Sequence, residues 1–491
     1  MGHSSVSSAK VVKATKWSVI TEATSKLITP ITNMVLARLL TPDAFGVIAT
    51  ITMIITFAEI FTDAGFQKYL IQHQFVDDDD KEKSTNVAFW CNLSVSILIW
   101  GFIVVSCDKI ALIVGNPDLG YVIAISCIAI PLAAFSSIQM ALYKRDLDFK
   151  TLFKVRIVGI CIPLFITIPL AFLFRSFWAL LIGILSKDIV NAILLTLYSK
   201  WKPRLYFSYR KLKEMFSFTV WSMIEAISIW LTSYIDVFLV GTLLSQHYLG
   251  LYKTSMTLVG QIMGLITAST TPILFSSLSK LQDNENGFCE LFFKFQKYVG
   301  MLVIPIGVCI FCYSDFITSL LLGSQWMEAS QLIGLWGLTS AIMIVLAHYS
   351  SEVYRAKGRP KLSVLAQWLH IVVLWPTVII AINYGFETLC IARALIRLEG
   401  ILVNLSIMYF VVKMSYKSMI ANIFPICISS LVILFLTLLF NSFLVEIWYV
   451  KIIEIIFCLI AYLIMLSFFP SNRIVIFQLK NVIFKQLHHK Q

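Results

Sequence analysis

Long apolar segments, each followed by a short polar turn, run along almost the whole chain. Most contain about 20 residues or more, which at about 1.5 Å per residue is enough to cross about 30 Å of hydrocarbon as an α-helix. The pattern predicts an all-α polytopic membrane protein with about 14 transmembrane helices. The predicted spans are residues 17–40, 44–72, 86–107, 119–142, 152–174, 177–199, 212–241, 247–278, 291–314, 328–354, 362–383, 386–412, 419–440 and 449–469.

The composition agrees with this pattern. Hydrophobic residues make up 58% of the 491-residue chain, charged residues make up 13%, and the mean hydropathy is +0.84. A soluble helical protein of this size could not cover so much apolar surface, so that class is excluded. The net charge of +12 does not indicate nucleic-acid binding, because most lysines and arginines lie in the polar connections on one side of the predicted spans. The positive-inside rule then places both chain ends in the cytoplasm.

A short sequence near the front of the chain recurs in its second half. The segment ARLLTPDAFG at residues 37–46 aligns without a gap with GTLLSQHYLG at residues 241–250. Each copy ends an apolar helix at a Leu-Leu pair, turns through polar residues and closes on a glycine. The repeat predicts two pseudo-symmetric six-helix bundles with two further helices at the end. The predicted domains are 1–200, 201–415 and 416–491.

The polar connections carry two charged segments. The acidic run HQFVDDDDKEKS at residues 73–84 is interpreted as a solvated loop. The basic connection at residues 199–216 is interpreted as an amphipathic segment on the anionic inner leaflet. Eight prolines also fall inside predicted spans, where each removes a backbone donor and is expected to bend its helix. They are Pro30, Pro131, Pro163, Pro169, Pro272, Pro305, Pro376 and Pro425.

Several charges lie deep within the predicted spans, where each costs about 2.5–3.5 kcal/mol to insert. One reading is that they pair with one another and join helices. The other is that they line a wet cavity, in which arginine and lysine bind phosphate oxygens. The candidate substrate-binding cations are Lys26, Lys187, Lys253, Arg393 and Arg397. The candidate ion-coupling carboxylates are Glu22, Glu59, Asp63 and Asp236.

Four segments resemble a known family of transporters. LARLLTPDAFGVIA, FTDAGFQKYLIQ, STNVAFWCNL and residues 235–281 are similar to the polysaccharide-transport (Wzx-type) flippases, which carry O-antigen and related oligosaccharides. These belong to the multidrug/oligosaccharidyl-lipid/polysaccharide exporter superfamily, and the resemblance continues to about residue 413. It implies a bacterial inner-membrane flippase that moves an undecaprenyl-diphosphate-linked oligosaccharide by alternating access, coupled to an ion gradient. Its partners would be that lipid-linked oligosaccharide, membrane lipids, a glycan polymerase and other polysaccharide-assembly proteins.

Two other functions remain open on the sequence alone. A multidrug extrusion antiporter of the same superfamily would favour an acidic, apolar cavity over a cationic one. A membrane-embedded glycan polymerase or ligase would need a large outer loop or a catalytic domain, and the short loops do not provide one. The chain contains no P-loop, no H-E-x-x-H and no G-x-S-x-G motif. The prediction is therefore a transporter rather than an enzyme, with no cofactor, metal or nucleic acid.

Overall fold

The structure, a computed structural model, describes residues 8–63, 65–443, 447–470 and 472. The side chains of residues 8–14, 63, 216–222, 224–225 and 441–443 lie outside this description. Within the described ranges all regular secondary structure is helical, which confirms the predicted all-α class.

The helices before the basic connection correspond to the first six predicted spans. They are α1 Ser8–Leu39, α2 Pro42–Asp63, α3 Phe66–Gln72, α4 Asp78–Val105, α5 Cys107–Ile113, α6 Gly120–Ser126, α7 Ala129–Arg145, α8 Phe149–Ile162, α9 Ile168–Phe174 and α10 Phe177–Tyr198.

The helices after the connection correspond to the remaining eight spans. They are α11 Tyr209–Leu243, α12 Gln246–Ser279, α13 Glu285–Cys312, α14 Ser314–Leu321, α15 Ser330–Met343, α16 Ser350–Ala356, α17 Lys361–Ile382, α18 Phe386–Phe410, α19 Tyr416–Phe443 and α20 Trp448–Ser467.

Twelve segments of the described chain are long and apolar enough to cross a membrane. The predicted first and twelfth spans are not among them, although α1 and α18 are helices of 32 and 25 residues at those positions. Both helices carry several charged side chains, which lower their hydropathy. That α1 and α18 also cross the membrane stays a prediction.

Several predicted spans are interrupted rather than continuous. The second span breaks at Gly65, between α2 and α3, instead of running through to residue 72. The fourth span breaks between α6 and α7, at residues 127–128. This break lies three to four residues before Pro131, and a proline ring clashes with the carbonyl of residue i−4, here Cys127. In the fifth span, Pro163 begins a π-turn at Pro163–Thr167 that separates α8 from α9. Proline therefore interrupts some helices, whereas α1 continues through Pro30.

The acidic run divides into two parts: residues 73–77 form a loop as interpreted, whereas residues 78–84 begin α4, so the interpretation as a loop was wrong there. Asp77 caps α4 by accepting a hydrogen bond from the backbone N–H of Asp80 at 2.6 Å. Asp78, Asp79 and Asp80 form the first turn. Carboxylates are stabilised there because they face the positive end of the helix dipole.

The described contacts group the chain into two compact units, which divide between Lys253 and Thr254. In the first unit α1 packs on α8, and α10 packs on both α7 and α8. The long helix α11 also belongs to this unit, because it packs on α2, α3 and α4. In the second unit α13 packs on α15 and α19, and α17 packs on α18. The predicted domains 1–200, 201–415 and 416–491 were drawn from the internal repeat rather than from contacts. They stay a prediction.

Candidate functional site

A polar cavity of about 720 Å³ lies inside the first unit, among α1, α7, α8 and α10. One face of α1 forms its longest wall, with polar side chains three or four residues apart. This spacing places them on one side of a helix. They are Ser18, Thr21, Glu22, Ser25, Thr29, Thr32 and Asn33. From Ser18 to Leu36 this wall extends about 27 Å, at about 1.5 Å per residue.

Four ionisable side chains line the cavity, and three of them are basic. Glu22 lies on α1, Lys144 on α7, Arg156 on α8 and Lys187 on α10. The Glu22 carboxylate lies 3.5 Å from the Arg156 guanidinium, and about half of each side chain is exposed. Lys187 lies 4.0 Å from the carboxylate of its neighbour Asp188. The excess of positive charge suits an anionic ligand, because guanidinium and ammonium groups bind phosphate oxygens.

Two glycines allow the helices around the cavity to approach closely. A Cβ atom on Gly159 of α8 would lie 3.2 Å from the amide oxygen of Asn191 and 3.5 Å from the Lys187 side chain. A Cβ atom on Gly183 of α10 would overlap the hydroxyl of Thr167 in the π-turn. The positions of Lys187 and Asn191 in the cavity wall thus depend on helix contacts that only glycine permits.

The structure separates the other predicted cations of the first unit from this cavity wall. Lys26 is half-buried on α1, but it is not one of the described lining residues. Lys253 lies near the start of α12, with its ammonium group 4.6 Å from the centre of the Tyr234 ring. This contact is a cation–π interaction. Lys187 is therefore the one predicted cation of this unit that lines the described cavity.

The predicted carboxylates also lie in different parts of the structure. Glu22 lines the cavity. Asp236 is buried on α11 and accepts a hydrogen bond of 2.8 Å from the Tyr252 hydroxyl. Glu59 is half-buried on α2. The side chain of Asp63 lies outside the described part of the chain. Of the predicted residues, Glu22 and Lys187 are the two that the structure brings together in the described lining of this cavity.

In the second unit Arg393 and Arg397 pack against the same aromatic ring. The guanidinium carbon of Arg397 lies 3.3 Å from the centre of the Trp336 ring, and that of Arg393 lies 4.9 Å from it. Arg397 also donates a hydrogen bond to the Ser340 hydroxyl. The face of the Trp336 ring attracts both guanidinium groups in cation–π contacts between α15 and α18.

A histidine–glutamate pair lies beside these arginines. His370 Nδ1 of α17 is 2.8 Å from the Glu399 carboxylate of α18, and both side chains are largely buried. Glu399 lies only two residues from Arg397 in sequence, and the structure pairs it with His370. These two polar side chains on facing helices therefore satisfy each other's hydrogen-bonding groups.

Sequence reasoning missed three residues of these clusters. Lys144 and Arg156 lie near the ends of predicted spans, and His370 lies in an apolar run, so none of the three is among the candidate residues above. The signal that could have identified the cavity is the polar stripe of α1, whose members recur at helical spacing through an otherwise apolar segment. No set of three or more histidine, cysteine, aspartate or glutamate side chains arranged to bind a metal occurs among the described residues.

Comparisons with known proteins agree with this architecture. The sequence profile of a family described as polysaccharide biosynthesis protein matches residues 35–331. A Klebsiella pneumoniae protein named as an uncharacterized membrane protein in the cps region is 22% identical over 75% of each chain. The succinoglycan biosynthesis transport protein ExoT of Rhizobium meliloti is 21% identical over 74% of this chain and 72% of its own.

The solved structure of the lipid II flippase MurJ in an inward closed conformation is also similar. It superposes with a TM-score of 0.73, covering 93% of this chain and 99% of MurJ, at 15% sequence identity. At that level of identity the likeness establishes the fold.

Proposed function

The chain belongs to the polysaccharide biosynthesis protein family, and we propose that it moves an undecaprenyl-diphosphate-linked oligosaccharide from the inner to the outer leaflet of the bacterial cytoplasmic membrane. The observation that carries this proposal is the cationic cavity of the first unit, lined by Lys144, Arg156 and Lys187. Transport by alternating access fits the fold shared with MurJ.

A charged lipid head group needs such a cavity. Each bare charge at the bilayer centre costs about 2.5–3.5 kcal/mol on insertion scales, so a diphosphate cannot cross hydrocarbon at a useful rate alone. Arginine can hold two phosphate oxygens at once, and lysine supplies a mobile positive charge. The hydroxyl and amide groups along α1 supply donors and acceptors for sugar hydroxyls.

The ion pair between Glu22 and Arg156 gives the cavity an exchangeable contact. In the proposed cycle a phosphate group displaces Glu22 from Arg156, and the freed carboxylate limits how tightly the anion is held. Glu22 is one of four proposed ion-coupling carboxylates, and the others are Glu59, Asp63 and Asp236. Lys26, Lys253, Arg393 and Arg397 remain proposed contacts of the substrate at other stages of transport.

The remaining assignments follow from the same proposal. Both chain ends lie in the cytoplasm, because the basic connections lie on that side. A glycan polymerase and other assembly proteins receive the translocated unit. A multidrug antiporter is less consistent with the site, because three basic groups outnumber one carboxylate and this excess of positive charge repels cationic drugs. The relatives named above include a transport protein, which favours transport over polymerisation.

Substitution of Arg156 tests the proposal in cells that depend on this chain for surface glycan. We expect Arg156→Ala to reduce surface glycan at least tenfold and Arg156→Lys to retain part of it. Lys154→Ala is the matched control, because Lys154 is an exposed cation on the same helix that does not line the described cavity. Normal surface glycan in an Arg156→Ala, Lys187→Ala double variant of normal abundance would refute the proposal.

A further inference from the structure

The first unit contains a second, larger groove of about 1020 Å³, formed by α2, α4, α5, α11 and the connection before α11. Its walls are almost wholly apolar and rich in aromatic rings. The described lining residues are Met53, Ile54, Phe57, Ala58, Phe61, Phe66, Trp90, Cys91, Ser94, Val95, Ile99, Phe102, Ile103, Ile110, Ile113, Val114, Phe207, Leu212, Met223, Trp230 and Phe238.

The two tryptophans of this groove do not present their polar edges to a ligand. Trp90 Nε1 donates a hydrogen bond of 2.9 Å to the backbone carbonyl of Arg204. Trp230 Nε1 donates a hydrogen bond of 3.2 Å to the Thr56 hydroxyl. Apart from the Ser94 hydroxyl and the Cys91 thiol, the described lining side chains offer only hydrocarbon and aromatic surface. The described part of this groove therefore suits an apolar ligand.

The groove is longer than one leaflet of a bilayer. Along α11 its lining runs from Leu212 to Phe238, which is about 39 Å at about 1.5 Å per residue. Along α4 it runs from Trp90 to Phe102, or about 18 Å. Half of the hydrocarbon core is about 15 Å thick, so a phospholipid acyl chain would fill less than half of the groove. A single long chain that crosses both leaflets would fill it.

Two exposed arginines lie within three residues of Phe207 or Leu212, at one end of the groove. The Arg204 side chain is 77% exposed and the Arg210 side chain is 91% exposed. They pair with Glu82 and Glu214, but exposed ion pairs of this kind are weak and can be exchanged for other partners. Both arginines can therefore exchange a carboxylate for another anionic group, whereas the rest of the described groove is complementary to hydrocarbon.

We infer that this groove binds the polyprenyl chain of the lipid-linked substrate, with its phosphate at Arg204 and Arg210 before the head group enters the polar cavity. The inference rests on the proposed function and adds the part of the protein that recognises the lipid. Chain length is the basis of selection, because only a chain longer than a leaflet contacts the full groove. The lipid tail thus stays in the apolar groove while the polar cavity binds the head group.

A chain-length series tests this inference on the purified full chain by native mass spectrometry. The probes are farnesyl diphosphate, undecaprenyl diphosphate, undecaprenol and phosphatidylglycerol. We expect undecaprenyl diphosphate to bind at least tenfold more tightly than farnesyl diphosphate. Ser94→Trp, which places an indole in the groove at an exposed position, should remove that difference and leave farnesyl diphosphate binding unchanged. Ile99→Gln, which keeps the side-chain size but adds a polar group, should weaken long-chain binding as well.

Leu173→Trp is the control, because Leu173 is an exposed apolar residue of the same unit outside the described groove. Equal affinity for the two diphosphates in the wild-type protein, or displacement of undecaprenyl diphosphate by equimolar phosphatidylglycerol, would overturn the inference and leave the proposed function intact. Binding of undecaprenol that Ser94→Trp abolishes, without binding of either diphosphate, would support the groove and count against the proposed function.

Discussion

Asp43 and His247 occupy equivalent positions in the two copies of the repeated turn, and their side chains contact each other at 3.3 Å. They are 204 residues apart, which is the offset that aligns ARLLTPDAFG with GTLLSQHYLG. The glycines that end the two copies make a reciprocal contact around this pair. Gly46 packs on the carbonyl of Gln246, and Gly250 packs on the carbonyl of Pro42. Equivalent residues can exchange contacts in this way only around a local twofold axis.

The first prediction concerns this crossing. Gly46→Ala would place a methyl group on the Gln246 carbonyl, and forcing the two turns apart should cost about 1–3 kcal/mol. We expect a lower midpoint of thermal unfolding in detergent. Gly101→Ala is the matched control, because no atom lies within 4 Å of a Cβ at Gly101 and alanine favours the helix by up to about 1 kcal/mol. Equal midpoints for the two variants would contradict the close contact.

The second prediction concerns the acidic start of α4. Asp80 pairs with Lys211 and Glu82 pairs with Arg204, so these carboxylates hold the connection before α11. Asp80→Asn removes one of these contacts and should increase the rate of tryptic cleavage in residues 199–211 several-fold. Asp79→Asn is the control, because Asp79 pairs with Lys83 of its own helix at 2.6 Å. Equal cleavage rates in the two variants would show that Asp80 does not restrain the connection.

The third prediction concerns Arg397. Its stack on Trp336 and its hydrogen bond to Ser340 depend on a planar guanidinium. Arg397→Lys should therefore lose most of the stabilisation, about 1–2 kcal/mol, and lower the unfolding midpoint nearly as much as Arg397→Ala. Trp336→Phe keeps an aromatic face and should have a smaller effect than Trp336→Leu. Full stability of Arg397→Lys would show that charge alone is sufficient at this position.

The fourth prediction follows from the partner of Glu399. His370→Leu leaves a buried carboxylate without its hydrogen-bond partner, which should cost about 3 kcal/mol and reduce the amount of folded protein. Adding Glu399→Gln should restore much of the yield, because the neutral amide is less costly to bury. Adding the same change to Arg397→Ala should restore none. If Glu399→Gln rescued Arg397→Ala instead, Arg397 would be the essential partner of Glu399.

Much of the fold could be predicted from the sequence, because the signal for a membrane helix is local. A run of apolar residues such as 177–199 has the length of the bilayer, and α10 occupies almost the same residues. Helix breaks were less predictable. Pro30 and Pro163 look alike in sequence, but α1 continues through the first and a π-turn begins at the second. Whether a helix continues past a proline depends on how neighbouring groups satisfy the freed carbonyl, which is a tertiary property.

The site was only partly predictable for the same reason. Glu22 and Lys187 stand out because a charge deep in an apolar helix is rare. Arg156 does not stand out, because it lies only seven residues after the start of α8, near a basic connection. What assigns Arg156 to the cavity is its contact with Glu22, across 134 residues of chain. Pairings such as His370 with Glu399 depend equally on which faces of two helices meet, and hydropathy alone does not determine that.

The reciprocal contact of Gly46 and Gly250 has an evolutionary consequence. A patch that meets an equivalent copy of itself is the isologous interface of a symmetric homodimer. A half-length ancestor with one such turn could have paired with its twin through the same glycine and the same carbonyl, before gene duplication and fusion joined the two subunits. With that history, each glycine is constrained by a backbone carbonyl of the other turn. A larger residue at either position would be tolerated only if both turns changed.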